Sequence, residues 1–177
     1  MLYFVRHGQT DDNINGNKLT GWIDVPLNKT GVLQAQETAL KLKDEKFDIS
    51  FCSPLKRAKQ TLKEILQYHK NLKVVYDDRL KERDYGKLSG VPEKEANFKR
   101  WDGNAVVPET VETPLHLYDR VKNFLDEILP KYSGKNILLV AHGGVGRMVY
   151  CYFNGMPKNN NFGEISIKNA EILKFNN

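Results

Sequence analysis

Residues 136–141, NILLVA, are apolar at nearly every position. A short continuous apolar run is typical of a strand, and a strand without polar alternation is usually covered on both faces. Such strands occur in parallel sheets that carry helices on both sides. The run therefore predicts an α/β protein in which residues 136–141 form a central strand.

Strand-like and helical segments alternate along the rest of the chain. Further strands are predicted at 2–5, 47–52, 72–76, 165–167 and 171–175, and helices at 30–42, 53–66, 113–133 and 145–153. This alternation predicts one domain, residues 1–177, built as a three-layer α/β/α sandwich with a mostly parallel central sheet. Residues 77–112 show no sustained period, which indicates an irregular insertion that faces the substrate.

Two helices are predicted to begin at a hydroxyl residue followed by proline. Ser53 and Thr113 are the expected N-caps, and the proline after each would occupy the first helical position. In the helix predicted from Thr30, the apolar positions are supplied by Leu33, Ala39, Leu40 and Leu42.

The composition excludes several classes of protein. The net charge is +5, from 27 Lys and Arg against 22 Asp and Glu, but the excess is spread thinly and no nucleic-acid recognition motif accompanies it. The apolar run after Met1 is too short for a signal peptide core or a membrane span. Cys52 and Cys151 lie in apolar segments, as small buried residues of a reduced protein do. We expect a cytoplasmic protein without nucleic-acid or membrane partners; the oligomeric state is not predicted.

Histidine and arginine residues follow three of the predicted strands. Arg6 and His7 end the first strand, Arg57 lies in the first turn of the helix after the second, and His142 follows the central strand. The carboxyl ends of parallel strands meet at one edge of a sheet, where ligands bind. The first turn of a helix favours an anion, and glycines beside both histidines allow its close approach. Because buried charge needs a partner, these residues predict an anion site.

Four blocks of sequence, in order, resemble the histidine phosphatase (phosphoglycerate mutase-like) superfamily, in its phosphatase branch. The first block comprises VRHGQT at 5–10, Asn13 and GWIDVPL at 21–27. The other three are SPLKRAKQT at 53–61, LKERDYG at 80–86 and VAHGGVGR at 140–147. The resemblance spans nearly the whole chain. It implies a phosphoglycerate mutase-like fold and a two-step phosphoryl transfer on a small phosphorylated metabolite, without cofactor or metal.

The resemblance also implies a role for individual residues. His7 would be the nucleophile, which must attack as a neutral imidazole, so we expect Arg6 and Arg57 to hold its pKa down. Glu82 would donate a proton to the leaving oxygen and later activate water. The phosphate-binding candidates are Arg6, Arg57, His142, Asn13, Thr10 and Gly143, and the candidates for substrate specificity are Gly21, Arg83 and Tyr85. Thr10 could equally cap its loop.

Two alternatives to a phosphatase remain. The loop from Glu82 to Gly86 resembles that of phosphoglycerate mutases, although the chain is shorter than the mutases and lacks their arginine pair after a tryptophan. A non-catalytic phospho-ligand binder is the other, but nucleophile and acid are both present. Glu112 and Thr113 follow a valine where the family often has glycine, so they receive no role. His69 and His116 match no block, and no metal site is predicted.

Overall fold

A five-stranded sheet forms the middle of the molecule in the computed structural model, which describes residues 1–14 and 18–176. The strands are β1 (Leu2–Arg6), β2 (Ile49–Cys52), β3 (Val74–Tyr76), β4 (Ile137–Ala141) and β5 (Ile172–Phe175). Their order is β3-β2-β4-β1-β5; the first four run parallel, and β5 pairs antiparallel with β1. All of β4 is buried at the centre, which confirms the prediction from its apolar run.

Helices cover both faces of this sheet. They are α2 (Lys29–Leu42), α3 (Lys56–Leu66), α4 (Pro114–Lys131) and α5 (Gly143–Asn154), while the short helix α1 (Asp11–Ile14) follows β1 and has no buried residue. Successive residues of a strand point to opposite faces, so Leu138 and Val140 pack with α2 and α3 while Leu139 packs with α4 and α5. This confirms the predicted α/β/α sandwich with a mostly parallel sheet.

The two predicted helix starts have different outcomes. Thr113 caps α4, since its hydroxyl accepts a hydrogen bond of 3.1 Å from the His116 N–H. The prediction for Ser53 was wrong, because α3 begins at Lys56 with Leu55 at the cap position. The Ser53 hydroxyl lies 2.7 Å from His142 Nε2 and also accepts from the Leu55 N–H at 3.3 Å. A contact across the sheet has therefore replaced the local cap.

The predicted apolar positions of α2 were correct for Ala39 and Leu42, which are buried, and wrong for Leu33 and Leu40. Leu33 and Leu40 are 60% and 52% exposed. The buried residues are mostly small: Gly31, Ala35, Thr38, Ala39 and Leu42. The backbone of the first loop approaches the helix so closely that a Cβ at Gly31 would lie 2.0 Å from the Gln9 carbonyl oxygen. This close approach favours small residues on the buried face of α2, and Leu33 and Leu40 lie in solvent on the other side.

The predicted strand at 165–167 does not form. The segment is extended and outside the sheet, since β5 occupies the available edge of β1. The Ile167 side chain is buried, and its carbonyl accepts a hydrogen bond of 2.6 Å from Arg6 Nη1. The apolar character of the segment thus reflects burial without strand pairing.

Residues 77–112 are irregular, as predicted, with only single 3-10 turns at Asp78–Leu80, Gly86–Leu88 and Glu93–Glu95. Cys52 and Cys151 are free and buried, as expected from their apolar segments. Within the described residues, no helix combines the length and apolarity needed to cross a membrane.

Candidate active site

A cavity of about 150 Å³ lies at the carboxyl ends of β1, β2 and β4. Sites for drug-sized ligands usually measure ~300–1,000 Å³, so this cavity suits a small metabolite. Most of the predicted site residues line it: Arg6, His7, Thr10, Asn13, Gly21, Arg57, Glu82, Tyr85 and Gly143. His142 and Arg83 are not among the lining residues.

His7 presents an unprotonated Nε2. Its Nδ1 lies 2.7 Å from the carbonyl oxygen of Gly8. A carbonyl can only accept a hydrogen bond, so Nδ1 must carry the ring proton, and the lone pair of the neutral imidazole remains on Nε2. The side chain is only 3% exposed and lines the cavity. His7 therefore has the tautomer that a nucleophile requires.

Burial and two neighbouring cations keep His7 neutral. Burial lowers the pKa of His7 well below its ordinary value of 6.5, and Arg57 and Arg6 lower it further. The hydrogen bond to Gly8 opposes this but is the smaller effect. The fold thus holds the imidazole in its neutral form, with its one ring proton on Nδ1.

Backbone carbonyls hold the two arginines beside His7. Arg57, from the first turn of α3, donates to the carbonyl oxygens of Ile23 at 2.9 Å and Gly21 at 2.8 Å. Gly21 has a φ of 51°, which favours glycine, and its contribution to the site is to support Arg57. Arg6 donates from Nη1 to Ile167, while its buried Nε has no partner in the described part of the chain. These neutral acceptors orient the guanidiniums and leave their charge for an anion.

His142 lies next to His7, with 5.1 Å between the ring centroids. Its Nε2 is hydrogen-bonded to the Ser53 hydroxyl. Its buried Nδ1 has no hydrogen-bond partner among residues 1–14 and 18–176. Burial lowers its pKa well below 6.5, with further lowering by Arg57 and His7. His142 is therefore a neutral ring beside His7, and one of its nitrogens is not hydrogen-bonded within these residues.

Thr10 and Asn13 form a small polar wall of the cavity. The side-chain Oδ1 of Asn13 accepts hydrogen bonds from the Thr10 N–H at 3.0 Å and from Asn169 Nδ2 at 3.1 Å. Asn13 therefore caps the loop, and its amide nitrogen remains as a donor. The buried Thr10 hydroxyl has no partner within the described chain, so it does not cap the loop. Asn169 also donates to the His7 carbonyl at 3.2 Å, a role that no motif indicated.

Glu82 connects residues 77–112 to the start of α5. One carboxylate oxygen accepts from the Gly144 N–H at 3.1 Å, and the other from the Arg83 N–H at 2.8 Å. A Cβ at Gly144 would lie only 2.1 Å from Glu82 Oε1. The glycine after Gly143 is thus needed to seat the carboxylate at the cavity.

An ion pair that the sequence did not reveal supports Glu82. Arg120 of α4 donates to both carboxylate oxygens of Glu112, at 2.6 and 2.9 Å. It also donates to the carbonyl oxygens of three residues at 2.7–2.8 Å, namely Arg79, Lys81 and Glu82. Arg120 therefore fixes the backbone that presents Glu82. Glu112 was given no role in the sequence; its spacing from Arg120 spans a helix start and carries no periodic signal.

Two of the candidates for specificity lie in different environments. Tyr85 is buried at the cavity wall, and burial raises its pKa to about 12. Arg83 is fully buried away from the cavity, where it donates to the carbonyl oxygens of Glu112 and Arg100. Arg83 thus braces the irregular segment and does not contact the cavity.

Several cavity residues were not among the predicted site residues, although Arg147 belongs to the matched block at 140–147. They are Lys18, Thr20, Arg100, Trp101, Arg147, Ser166 and Ile167. Arg147 lies four residues after Gly143 in α5, a spacing that places both on one side of the helix and could have identified it. Arg100 and Trp101 lie in the irregular segment, which offers no such signal. Over the residues that the structure describes, no group of three His, Cys, Asp or Glu side chains could hold a metal ion.

The chain is similar to known proteins over most of its length. Residues 2–176 match the family model described as the histidine phosphatase superfamily (branch 1). A protein of Bacillus subtilis (strain 168), named uncharacterized phosphatase PhoE, is 44% identical over 139 residues, which cover 78% of this chain and 69% of that protein. The 2,3-bisphosphoglycerate-dependent phosphoglycerate mutase of Cytophaga hutchinsonii is 37% identical over 154 residues, 81% of this chain and 72% of the mutase. The crystal structure of the alpha-ribazole phosphatase from Shigella flexneri superimposes with a TM-score of 0.84 at 27% identity, covering 97% of this chain and 87% of that one.

Proposed function

The chain belongs to the histidine phosphatase superfamily (branch 1), and we propose that it hydrolyses a small phosphate monoester through a phosphohistidine on His7. The observation that carries the proposal is the hydrogen bond from His7 Nδ1 to the Gly8 carbonyl. It leaves the Nε2 lone pair free in a cavity that also contains Arg6 and Arg57. Nucleophile and anion-binding groups therefore converge on one small volume.

In the first step, His7 Nε2 attacks phosphorus and the bond from phosphorus to the leaving oxygen breaks. Arg6 and Arg57 offer planar donors to the phosphoryl oxygens. We assign the Ser53 hydroxyl proton to the hydrogen bond with His142 Nε2, which makes Nδ1 of His142 a donor to the same group. Preorganised donors of this kind each contribute about 2.7–4 kcal/mol to catalysis.

Glu82 manages the proton in both steps. In its protonated form it gives the proton to the leaving oxygen, and the product alcohol departs. A water molecule then attacks the phosphohistidine, the Glu82 carboxylate takes the water proton, and inorganic phosphate leaves with His7 restored. Each carboxyl oxygen has more than one acceptor position, so the backbone bonds to Gly144 and Arg83 are compatible with this exchange.

No metal ion is assigned to this reaction, since Arg6 and Arg57 supply the positive charge that phosphoryl transfer needs. The substrate is a small phosphorylated metabolite. We place the reaction in the cytoplasm, because two free and buried cysteines suit a reducing compartment.

A phosphoglycerate mutase is the second candidate, favoured by the similarity to the Cytophaga hutchinsonii enzyme. A mutase must shield its phosphohistidine from water, usually with a closing lid. Here the segment that covers the site is the short stretch 83–112, whose only regular structure is single 3-10 turns. We therefore propose that water reaches the intermediate faster than a glycerate acceptor does.

Product partitioning tests this choice. The protein is incubated with 3-phosphoglycerate and 2,3-bisphosphoglycerate, and free phosphate is compared with 2-phosphoglycerate. We expect free phosphate to predominate. Rapid isomerisation with little free phosphate would replace the phosphatase by a mutase, and failure to release phosphate from any substrate, including an aryl phosphate, would indicate a non-catalytic binder.

A further inference from the structure

Two arginines line the cavity without belonging to the group around His7. Arg100 comes from the irregular segment and Arg147 from α5, and both lie against Trp101. Their guanidinium carbons are 5.5 Å and 4.4 Å from the centroid of the Trp101 ring. The three side chains form a second cluster in the cavity, which we call the Trp101 cluster.

The Trp101 cluster lies on the side of the proton donor. A Cβ at Gly144 would be 2.1 Å from Glu82 Oε1 and 2.8 Å from Trp101 Cη2, so the carboxylate and the indole are neighbours. A group that receives a proton from Glu82 must therefore be close to Trp101.

The polar atoms of the cluster are incompletely satisfied. Nε of Arg100, Nε of Arg147 and Nε1 of Trp101 are buried and have no hydrogen-bond partner in the described ranges. Arg100 is paired with Glu93 at 3.0 Å, whereas no ion pair of Arg147 is found among the described residues. A buried donor without a partner is costly, and the cost is removed when a ligand supplies the acceptor.

The electrostatic environment of Arg147 points the same way. The pKa of Arg147 is lowered to about 10, chiefly by burial and in smaller part by the charges of Arg100 and Arg6, while Glu82 opposes this lowering. Arg6 is close by, because a Cβ at Gly143 would meet both Arg6 Cζ at 3.3 Å and Arg147 Nη1 at 3.7 Å. The Glu82 carboxylate thus lies near three cations, Arg6, Arg100 and Arg147. A further anion would reduce the repulsion among these cations.

We propose that the leaving group of the substrate carries its own anionic group, a carboxylate or a second phosphate, which binds Arg147 and Arg100 beside Trp101. The identification of this part of the ligand as the leaving group rests on the proposed phosphatase reaction. The anion accepts hydrogen bonds from the two guanidiniums and from the indole N–H. Monophosphates with neutral leaving groups, such as simple sugar phosphates, lack this contact.

Binding measurements on a protein that cannot turn over test the proposal. His7→Asn removes the nucleophile and keeps a donor for the Gly8 carbonyl. Calorimetry then compares 3-phosphoglycerate with glycerol 3-phosphate, and propane-1,3-diol bisphosphate with its monophosphate. We expect the doubly anionic member of at least one pair to bind about tenfold more tightly, or better. The pair that shows the preference identifies a carboxylate or a phosphate as the second anion.

Adding Arg147→Gln should remove most of that preference, and Arg100→Gln part of it. Lys41→Gln makes the same change in charge at an exposed position of α2 and should keep the preference. Equal affinities within both pairs would overturn the proposal, as would an equal loss for both members on Arg147→Gln. If that variant does not fold, the ligand pairs and Arg100→Gln still decide.

Turnover is absent from this experiment, so its outcome is independent of the proposed function. Failure of the phosphatase proposal would show separately, as no phosphate release by the unsubstituted protein.

Discussion

The N–H of Gly144 donates a hydrogen bond of 3.1 Å to the carboxylate of Glu82, joining the first turn of α5 to the irregular segment across the cavity. The contact leaves no room for a side chain, because a Cβ at Gly144 would lie 2.1 Å from Glu82 Oε1. The location of the proposed proton donor therefore depends on a glycine of another element. This dependence can be measured.

Gly144→Ala should displace Glu82 and lower kcat by about tenfold or more, since small misplacements of a catalytic group have effects of up to ~10²-fold. Glu82→Asp shortens the side chain and relieves the clash. The double variant should consequently lose less activity than the product of the two single losses predicts. Strictly multiplicative losses in this double-mutant cycle would show that Gly144 acts independently of Glu82.

Arg120→Met should impair Glu82 without removing it. Its loss frees three backbone carbonyls and the Glu112 carboxylate, which should cost about 1.5–3 kcal/mol of unfolding free energy. If the misplaced Glu82 limits turnover, activity should fall more on substrates with poor leaving groups than on aryl phosphates, whose leaving groups need little protonation. Single-turnover rates provide the comparison.

Lys122→Met is the matched control, because it breaks the exposed pair with Asp126. We expect it to leave the unfolding free energy almost unchanged, because solvent screens an exposed pair, and to leave activity unaltered. Equal losses on good and poor leaving groups for Arg120→Met would limit that residue to a structural role.

The folded protein should become less stable as the pH falls below about 6.5. The pKa values of His7 and His142 are held well below 6.5 in the folded protein, so the unfolded chain takes up protons first. Their contribution is complete above 6.5 and is lost as the pH falls toward the folded pKa, at about 1.4 kcal/mol per pH unit for each histidine. Urea unfolding at pH 7.5, 6.5 and 5.5 measures the slope.

His7→Asn should remove about half of this slope between pH 6.5 and 5.5. His116→Asn alters an exposed histidine and should retain the full slope. The same unfolding free energy at pH 7.5 and 5.5 would mean that the two site histidines are not held neutral by the fold.

Activity should survive dialysis against EDTA, because arginines supply the positive charge around the phosphoryl group. The rate of aryl phosphate hydrolysis is measured before and after dialysis, with and without added Mg²⁺ or Mn²⁺. Loss of activity that a divalent ion restores would show that the charge assignment is incomplete.

The sequence was most informative where topology decides position. The apolar run of β4 predicted the central strand, and the rule that parallel strands end at one edge predicted the proximity of Arg6, His7 and Arg57. The strands and helices that carry these three residues have clear hydrophobic patterns. The residues can therefore be placed without knowledge of long-range contacts.

The sequence was least informative where long-range contacts override local signals. Ser53 has the pattern of a helix cap, but its hydroxyl is bonded to His142. Arg120 and Trp101 were not predicted because they act on or within residues 77–112, whose conformation follows from packing and not from periodicity. Leu33 was expected to be buried because it is apolar. The face of α2 that packs closely against the protein carries mostly small residues instead, and Leu33 lies in solvent.

The most direct test is rapid quench of the protein with a substrate labelled in its phosphate. We predict protein-bound label that is stable to alkali and labile to acid, carried by the peptide that contains His7. His116→Asn should keep the label, and His7→Asn should lose both label and turnover. Retention of a tenth of the activity by His7→Asn, or label that maps to another residue, would contradict phosphoryl transfer through His7.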